Sequence, residues 1–345
     1  MIHQKGPLGV SVVMVSIFLM VAGCSQPRRT WDLSALRKQT PSLDAINGHR
    51  LGDMVPFPAL EGERVVLIAC RFRDHGPIRI GGDGPGWPAS WARQAVSALE
   101  RGARGFKLEF VPSQSGGSDL RELDIEIRSI EGAEEAGPRG LGDTLSECDI
   151  SPLSSSVGRP RGWLVGAEIR MRRARLDMLG ESQDASAAEW VGALMHEIGH
   201  GLGFSGHVVA AETILVREES RLRAAGRVGL AEGVWSDATL EALYRLRPGQ
   251  PLGTRPLTAG SRSILREIRG LLQRDRDRGG AAVEIRSSVG DRYARIQWRL
   301  SDGSRLTVRL LDWRRVLREG EAIRLHPDRA TLRRLAAERL VDQPS

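Results

Sequence analysis

Apolar positions recur along the chain with two different periods, and the changes between them mark out its elements. Arg64–Phe72 is an unbroken apolar run rich in β-branched residues and predicts a buried strand. Phe106–Val111 and Leu123–Ile130 alternate apolar and polar residues and predict two more strands. In the second, Leu123, Ile125 and Ile127 share one side. Ala167–Met171 is a further short strand candidate. Between these runs the period changes to that of a helix. Trp91, Ala95, Val96 and Leu99 fall on one helical face. In Ala187–Leu202, the residues Val191, Leu194, Ile198 and Leu202 form a stripe about 80° wide at 100° per residue. Ser186 and Glu189 have capping-box spacing at the start of that helix, and Gly203 is placed to end it. Trp235–Leu246 predicts another helix, with Ser236 as its cap. The glycine- and proline-rich stretches Gly81–Pro88 and Gly132–Pro160 read as loops.

Beyond Pro248 the strand period dominates, and residues 283–325 read as strands. Tyr293–Leu300 puts Ala294, Ile296, Trp298 and Leu300 on one face. Asp302-Gly303 supplies a hairpin turn, and Leu306, Val308 and Leu310 resume the apolar face. Asp328–Val341 follows as an amphipathic helix. Strands and helices mixed in this way predict an α+β fold, with residues 255–345 as a β-rich accessory region.

The amino end departs from both periods. Val10–Ala22 is an apolar run interrupted only by Ser11 and Ser16, preceded by Lys5. It is too short for a stable spanning helix and fits a signal peptide. It ends in Val21-Ala22-Gly23-Cys24, which resembles a bacterial lipobox. That resemblance implies removal of residues 1–23, acylation of Cys24 and a lipid-anchored protein of the cell envelope. By analogy with Gram-negative lipoproteins, Ser25 favours the outer membrane. Residues 24–60 carry Pro27, Pro41, Pro56 and Pro58 with little periodicity and read as a tether. Two cysteines remain, Cys70 and Cys148. They are either two buried thiols or, as export to an oxidising compartment favours, one disulfide.

Composition excludes two classes. Apolar residues make up 41% and charged residues 27%, so the chain is not wholly disordered. The net charge is +7, but arginine is spread throughout, alternates with Asp and Glu, and is joined by only three lysines (Lys5, Lys38 and Lys107). With aromatic residues at 5%, this argues against a nucleic-acid partner. The arginine-rich hairpin face near the carboxyl end reads as a solvated sheet surface. Its sharper reading is a surface for a polyanion of the envelope.

The chemistry lies in His196–His207, "HEIGHGLGFSGH". His196 and His200 are four apart on the predicted helix, so both imidazoles leave the same side, roughly opposite the apolar stripe. Glu197 is turned by about 100° and reaches a metal-held water without being a ligand itself. Gly203 lets the chain turn, so that a third residue can join the same ion. The candidates are His207 and the carboxylates of Glu218 or Glu219. Three ligands with one position open describe a catalytic rather than a structural zinc site. Asp83, in Gly81–Gly86, is a candidate for calcium.

"HEIGHGLGF" resembles the zinc-binding segment of metzincin metallopeptidases, especially the matrixin branch. The resemblance implies zinc held by His196, His200 and His207, with Glu197 as general base. It implies an endopeptidase acting on peptides or proteins, which the lipobox-like segment would anchor to the membrane. Over residues 61–250 it implies a domain built on a twisted, mostly parallel sheet with an active-site helix. Ala167–Met171 would be the edge strand that aligns substrate, and Trp235–Leu246 the closing helix. Two features depart from the pattern. The spacing from His200 to His207 is seven where six is usual. No methionine follows Met195, so the hydrophobic turn beneath the metal is assigned to Glu212–Val216, with Leu215 in the place of methionine. A non-catalytic envelope lipoprotein on the same scaffold is the competing expectation.

Overall fold

The computed structural model describes residues 56–341, apart from 75, 84–87, 113–122, 131–139, 153–159, 177–180, 208–212, 280–283, 291–292, 312 and 314–319. The expected signal peptide, Cys24 and most of the expected tether lie outside the described residues. The fold is α+β, with three sheets and six helices among the described residues.

The large sheet has nine strands: β3 (Ile78–Asp83), β4 (Leu108–Val111), β5 (Ile125–Ser129), β6 (Gly142–Asp149), β7 (Trp163–Met171), β11 (Glu284–Gly290), β12 (Ala294–Arg299), β13 (Arg305–Leu311) and β14 (Arg324–Pro327). Their order is β14-β13-β12-β11-β6-β7-β5-β3-β4. A small sheet pairs β1 (Pro56–Glu61) and β10 (Pro251–Pro256) with the two edges of β2 (Arg64–Ala69). β8 (Ala174–Leu176) and β9 (Ser182–Asp184) form a separate hairpin. The helices are α1 (Ala89–Gly102), α2 (Ala187–Gly201), α3 (Glu219–Leu230), α4 (Ala238–Tyr244), α5 (Ala259–Asp277) and α6 (Arg329–Val341). No helix among the described residues is long and apolar enough to cross a membrane.

Several expectations are corrected. The tether ends earlier than residue 60, because Pro56–Glu61 pairs antiparallel with β2 and buries Phe57 and Ala59. Its two prolines are tolerated because β1 is an edge strand, where a missing N–H breaks no ladder. Within residues 61–250 the large sheet has three parallel pairs and one antiparallel pair, and the strands beyond residue 283 make the whole sheet mixed. β4, β3, β5 and β7 pair in parallel, whereas β6, β11, β12, β13 and β14 are added antiparallel. Ala167–Met171 is not an edge, since β7 lies between β6 and β5. Gly81–Asp83 belong to β3 rather than to a loop, and the rest of the proposed calcium loop falls outside the described residues. Residues 142–149, expected in a loop, form β6. The region beyond 255 is not set apart either. β11 pairs with β6 from Arg286↔Asp149 to Gly290↔Leu145, so its strands extend the same sheet. Helices α3 and α5 were not predicted, although Leu265, Ile268, Leu271 and Leu272 have helical spacing and are buried in α5.

Cys70, just after β2, is disulfide-bonded to Cys148 in β6, with Cα atoms 6.1 Å apart. The bond ties the small sheet to the large one. Its sequence separation of 78 residues is long, so the chain-entropy model gives about 4.5 kcal/mol of stabilisation. Reduction, or the double substitution Cys70→Ser with Cys148→Ser, should lower the urea midpoint of unfolding accordingly. An unchanged midpoint would mean that the bond does not constrain the unfolded chain.

Candidate metal centre

Helix α2 carries the site, and its amino end forms as the sequence predicts. The Ser186 side chain accepts from the Glu189 N–H at 3.3 Å, and the Ser186 N–H donates to the Glu189 carboxylate at 2.9 Å. The Ser186 hydroxyl, donating to the Glu189 carboxylate at 2.7 Å, and the Ser186 N–H, with the guanidinium of Arg223 beside them, hold the Glu189 carboxyl down at about 2. At the other end Leu202 caps the helix and Gly203 takes φ +115°. A Cβ at position 203 would come within 2.4 Å of the Cys70 carbonyl oxygen, so both backbone angle and space require glycine there.

The helix is buried on all sides from Trp190 to Gly201, not only along its apolar stripe. His196, Glu197 and His200 therefore have to be satisfied within the protein. His196 Nδ1 meets the carbonyl oxygen of Ile214, and His200 Nδ1 meets that of Phe204 at 2.6 Å. A carbonyl only accepts, so both Nδ1 atoms carry the proton and both Nε2 atoms present a lone pair. The Nε2 atoms lie 3.0 Å apart, and His207 Nε2 lies 3.1 Å from that of His196. Facing lone pairs at this distance repel unless a cation stands between them. Three nitrogens bound tetrahedrally at 2.0–2.1 Å from zinc would sit about 3.3 Å apart, close to the observed spacing. The three histidines form a group that could hold a metal ion, and it is the only such group among the described residues.

The competing third ligands are placed elsewhere. Glu218 is the residue before α3 and Glu219 is its first residue. Neither belongs to the converging group, although Glu219 lines the cavity beside it. The turn expected beneath the metal is formed by Thr213–Val216, all buried. A Cβ on Gly199, between the two helical histidines, would lie 2.9 Å from Leu215 Cδ2, so Leu215 packs directly under that part of the helix. Leucine thus fills the space beneath the histidines.

The sequence reading missed three supporting residues. Asp237, rather than Ser236, caps α4, accepting from the N–H groups of Thr239 at 3.0 Å and Leu240 at 3.3 Å. Its other oxygen accepts from the Ile214 N–H at 2.8 Å, so Asp237 holds the peptide unit chain that meets His196. Burial pushes the Asp237 carboxyl up, against the pull of its hydrogen-bond donors. The other two come from β6. Thr144 Oγ1 donates to Glu197 Oε2 at 2.6 Å, and Ser146 Oγ donates to the His200 carbonyl at 3.0 Å, which also accepts the Gly203 N–H at 3.0 Å. The alternation Thr144, Ser146, Cys148 was the available signal: a strand whose inner face is polar because it serves a helix's polar groups. Tyr244, its phenol pushed up by burial, donates to the Leu202 carbonyl at 3.3 Å and fixes the end of α2 from the far side.

A cavity of about 380 Å³ opens beside the histidines, bounded by Gly140–Gly142 from the β6 side and by Ala193, Val216 and Leu222. No family model matches the chain, and no curated protein matches it in sequence.

Two measurements check this construction. Titration of the metal-free protein with Zn²⁺ as probe should give one ion per chain, and His207→Ala should weaken binding sharply. Unchanged affinity in that variant would remove His207 from the ligand set and return Glu219 to it. The Glu189 carboxyl is held below its ordinary value of 4.5, so its contribution to stability is complete above pH 4.5 and is lost as the pH falls towards 2. Glu189→Gln should flatten that part of the stability profile in urea unfolding, and an unaltered profile would place the acid sensitivity in other groups.

Proposed function

We propose that the protein is a zinc-dependent peptide hydrolase of metzincin-like type, carried on an exported, lipid-anchored chain. The observation that carries the reading is the meeting of three imidazole Nε2 atoms beside a carboxylate that is not one of their number, at the side of an open cavity. A bound zinc ion would supply a Lewis acid that polarises the peptide carbonyl and makes water a nucleophile near neutral pH. Glu197 takes the proton from that water and passes it to the departing amine. Thr144 holds one Glu197 oxygen by its hydroxyl, which fixes the rotamer of the base. The carbonyls of Ile214 and Phe204 hold the two helical rings in the tautomer that directs Nε2 inwards. The buried surroundings of α2 exclude bulk water, which strengthens each of these contacts.

The disulfide supports the export reading, because such a bond persists in an oxidising compartment. The lipobox-like Val21–Cys24 supports acylation at Cys24 and an envelope location, with the outer membrane favoured by Ser25. Radiolabelled palmitate incorporation that is lost in Cys24→Ala checks the anchor.

Glu197→Gln should abolish peptide hydrolysis while leaving zinc binding intact, and a chelator should abolish hydrolysis in the unaltered protein. Full activity of the Gln variant would overturn the assigned base. Inactivity of the unaltered, zinc-loaded protein on every peptide tried would favour the non-catalytic scaffold.

A further inference from the structure

We propose that this site trims peptides from their amino-terminal end, accepting only one or two residues on the amino side of the bond it cuts. The proposal rests on the hydrolase reading and narrows it, because an endopeptidase needs an open path on both sides of the scissile bond.

The pairing of β6 carries the argument. This strand passes the base at Gly142–Thr144: Thr144 donates to Glu197, and a Cβ on Gly142 would lie 2.7 Å from Glu197 Cγ. From Leu145 onwards the outer edge of β6 is taken by β11, in register from Gly290↔Leu145 to Arg286↔Asp149. Gly290 ends β11, and its N–H turns back to the Tyr293 carbonyl at 3.0 Å. An extended peptide laid beside Glu197 therefore meets the end of β11 on one side. A strand advances about 3.3 Å per residue, so the step from Leu145 back to Thr144 leaves room for about one residue before the base is reached.

The space around the ligands has the same asymmetry. On the β11 side, the gap beside His200 is bounded by Phe57, Val289 and Gly290 and amounts to about 10 Å³, at most one water molecule. On the other side of the histidines lies the cavity of about 380 Å³ along Gly140–Gly142.

Chain direction follows from the sheet. Both neighbours of β6 are antiparallel to it. β11 runs from Asp149 towards Leu145, so a peptide continuing its line in the same sense has its amino end against Gly290 and its carboxyl end in the large cavity. The occluded side is thus the amino side of the substrate, and chain length on the carboxyl side is not limited by β11.

The test uses the full chain loaded with Zn²⁺ and synthetic peptides of about twelve residues, followed by mass spectrometry over time. The first products should be single residues or dipeptides released from the amino end. Lengthening the peptide on the carboxyl side should leave the rate within about twofold. Joining a folded domain directly to the amino end should lower the rate at least tenfold. Early products with three or more residues on the amino side of the cut, or release from the carboxyl end, would overturn the proposal while leaving the hydrolase reading in place. Zinc-loaded protein that releases nothing from any peptide would overturn the hydrolase reading, and this proposal with it.

Discussion

Two imidazoles one helical turn apart can aim their lone pairs at the same point only if something else takes their other nitrogens. In this protein that task falls to two backbone carbonyls, Ile214 for His196 and Phe204 for His200. Both carbonyls belong to chain that lies beyond the end of α2, so the tautomers of the helix depend on how the chain returns after Gly203. That return is itself held from two sides. Asp237 grips the Ile214 amide from the start of α4, and the backbone at Gly203 is pressed close to the Cys70 carbonyl at the end of β2. The convergence of the histidines is thus a consequence of packing well outside them. A single histidine motif on an isolated helix would not reproduce it.

β6 shows how a strand can be hidden by its own usefulness. A strand facing a core is expected to present apolar residues, and β6 presents Thr144 and Ser146 instead. Their hydroxyls are not wasted in the interior, because they meet the Glu197 carboxylate and the His200 carbonyl, both of which would otherwise be buried without that partner. The same strand continues to Cys148 and the disulfide, so one short segment holds the Glu197 carboxylate, supports the end of the helix and joins the two sheets. Its outer edge then receives β11, which turns a region with no chemical motif of its own into a wall of the site.

Much of the element pattern was legible along the chain. The span of α2, its capping box and its glycine stop follow from local physics: side-chain periodicity, hydrogen bonds three residues apart and a positive φ. The hairpin of β12 and β13 follows from alternation around Asp302-Gly303, and its predicted inner residues Ala294, Ile296, Trp298 and Leu300 are buried. What failed locally failed for one reason, competition from partners distant in sequence. β1 escaped notice because its prolines suit an edge whose partner, β2, has to be known first. α3 carries Gly226 and Gly229, which lower helix propensity but sit where the helix is buried against its neighbours.

The amino-acid sequence alone determined the donor types and their spacing: two imidazoles at i and i+4, a carboxylate between them, and a third histidine after a glycine turn. These are set by helix geometry, which needs nothing beyond the segment itself. Only the tertiary structure decided which third residue joins the pair, which hydroxyl meets the Glu197 carboxylate, and which strand pairs beside it. The first depends on how the chain returns after Gly203, and the other two on contacts between segments tens to more than a hundred residues apart, β6 with α2 and β11 with β6. Pairings of that kind are selected by the burial of the whole chain, and no local period records them.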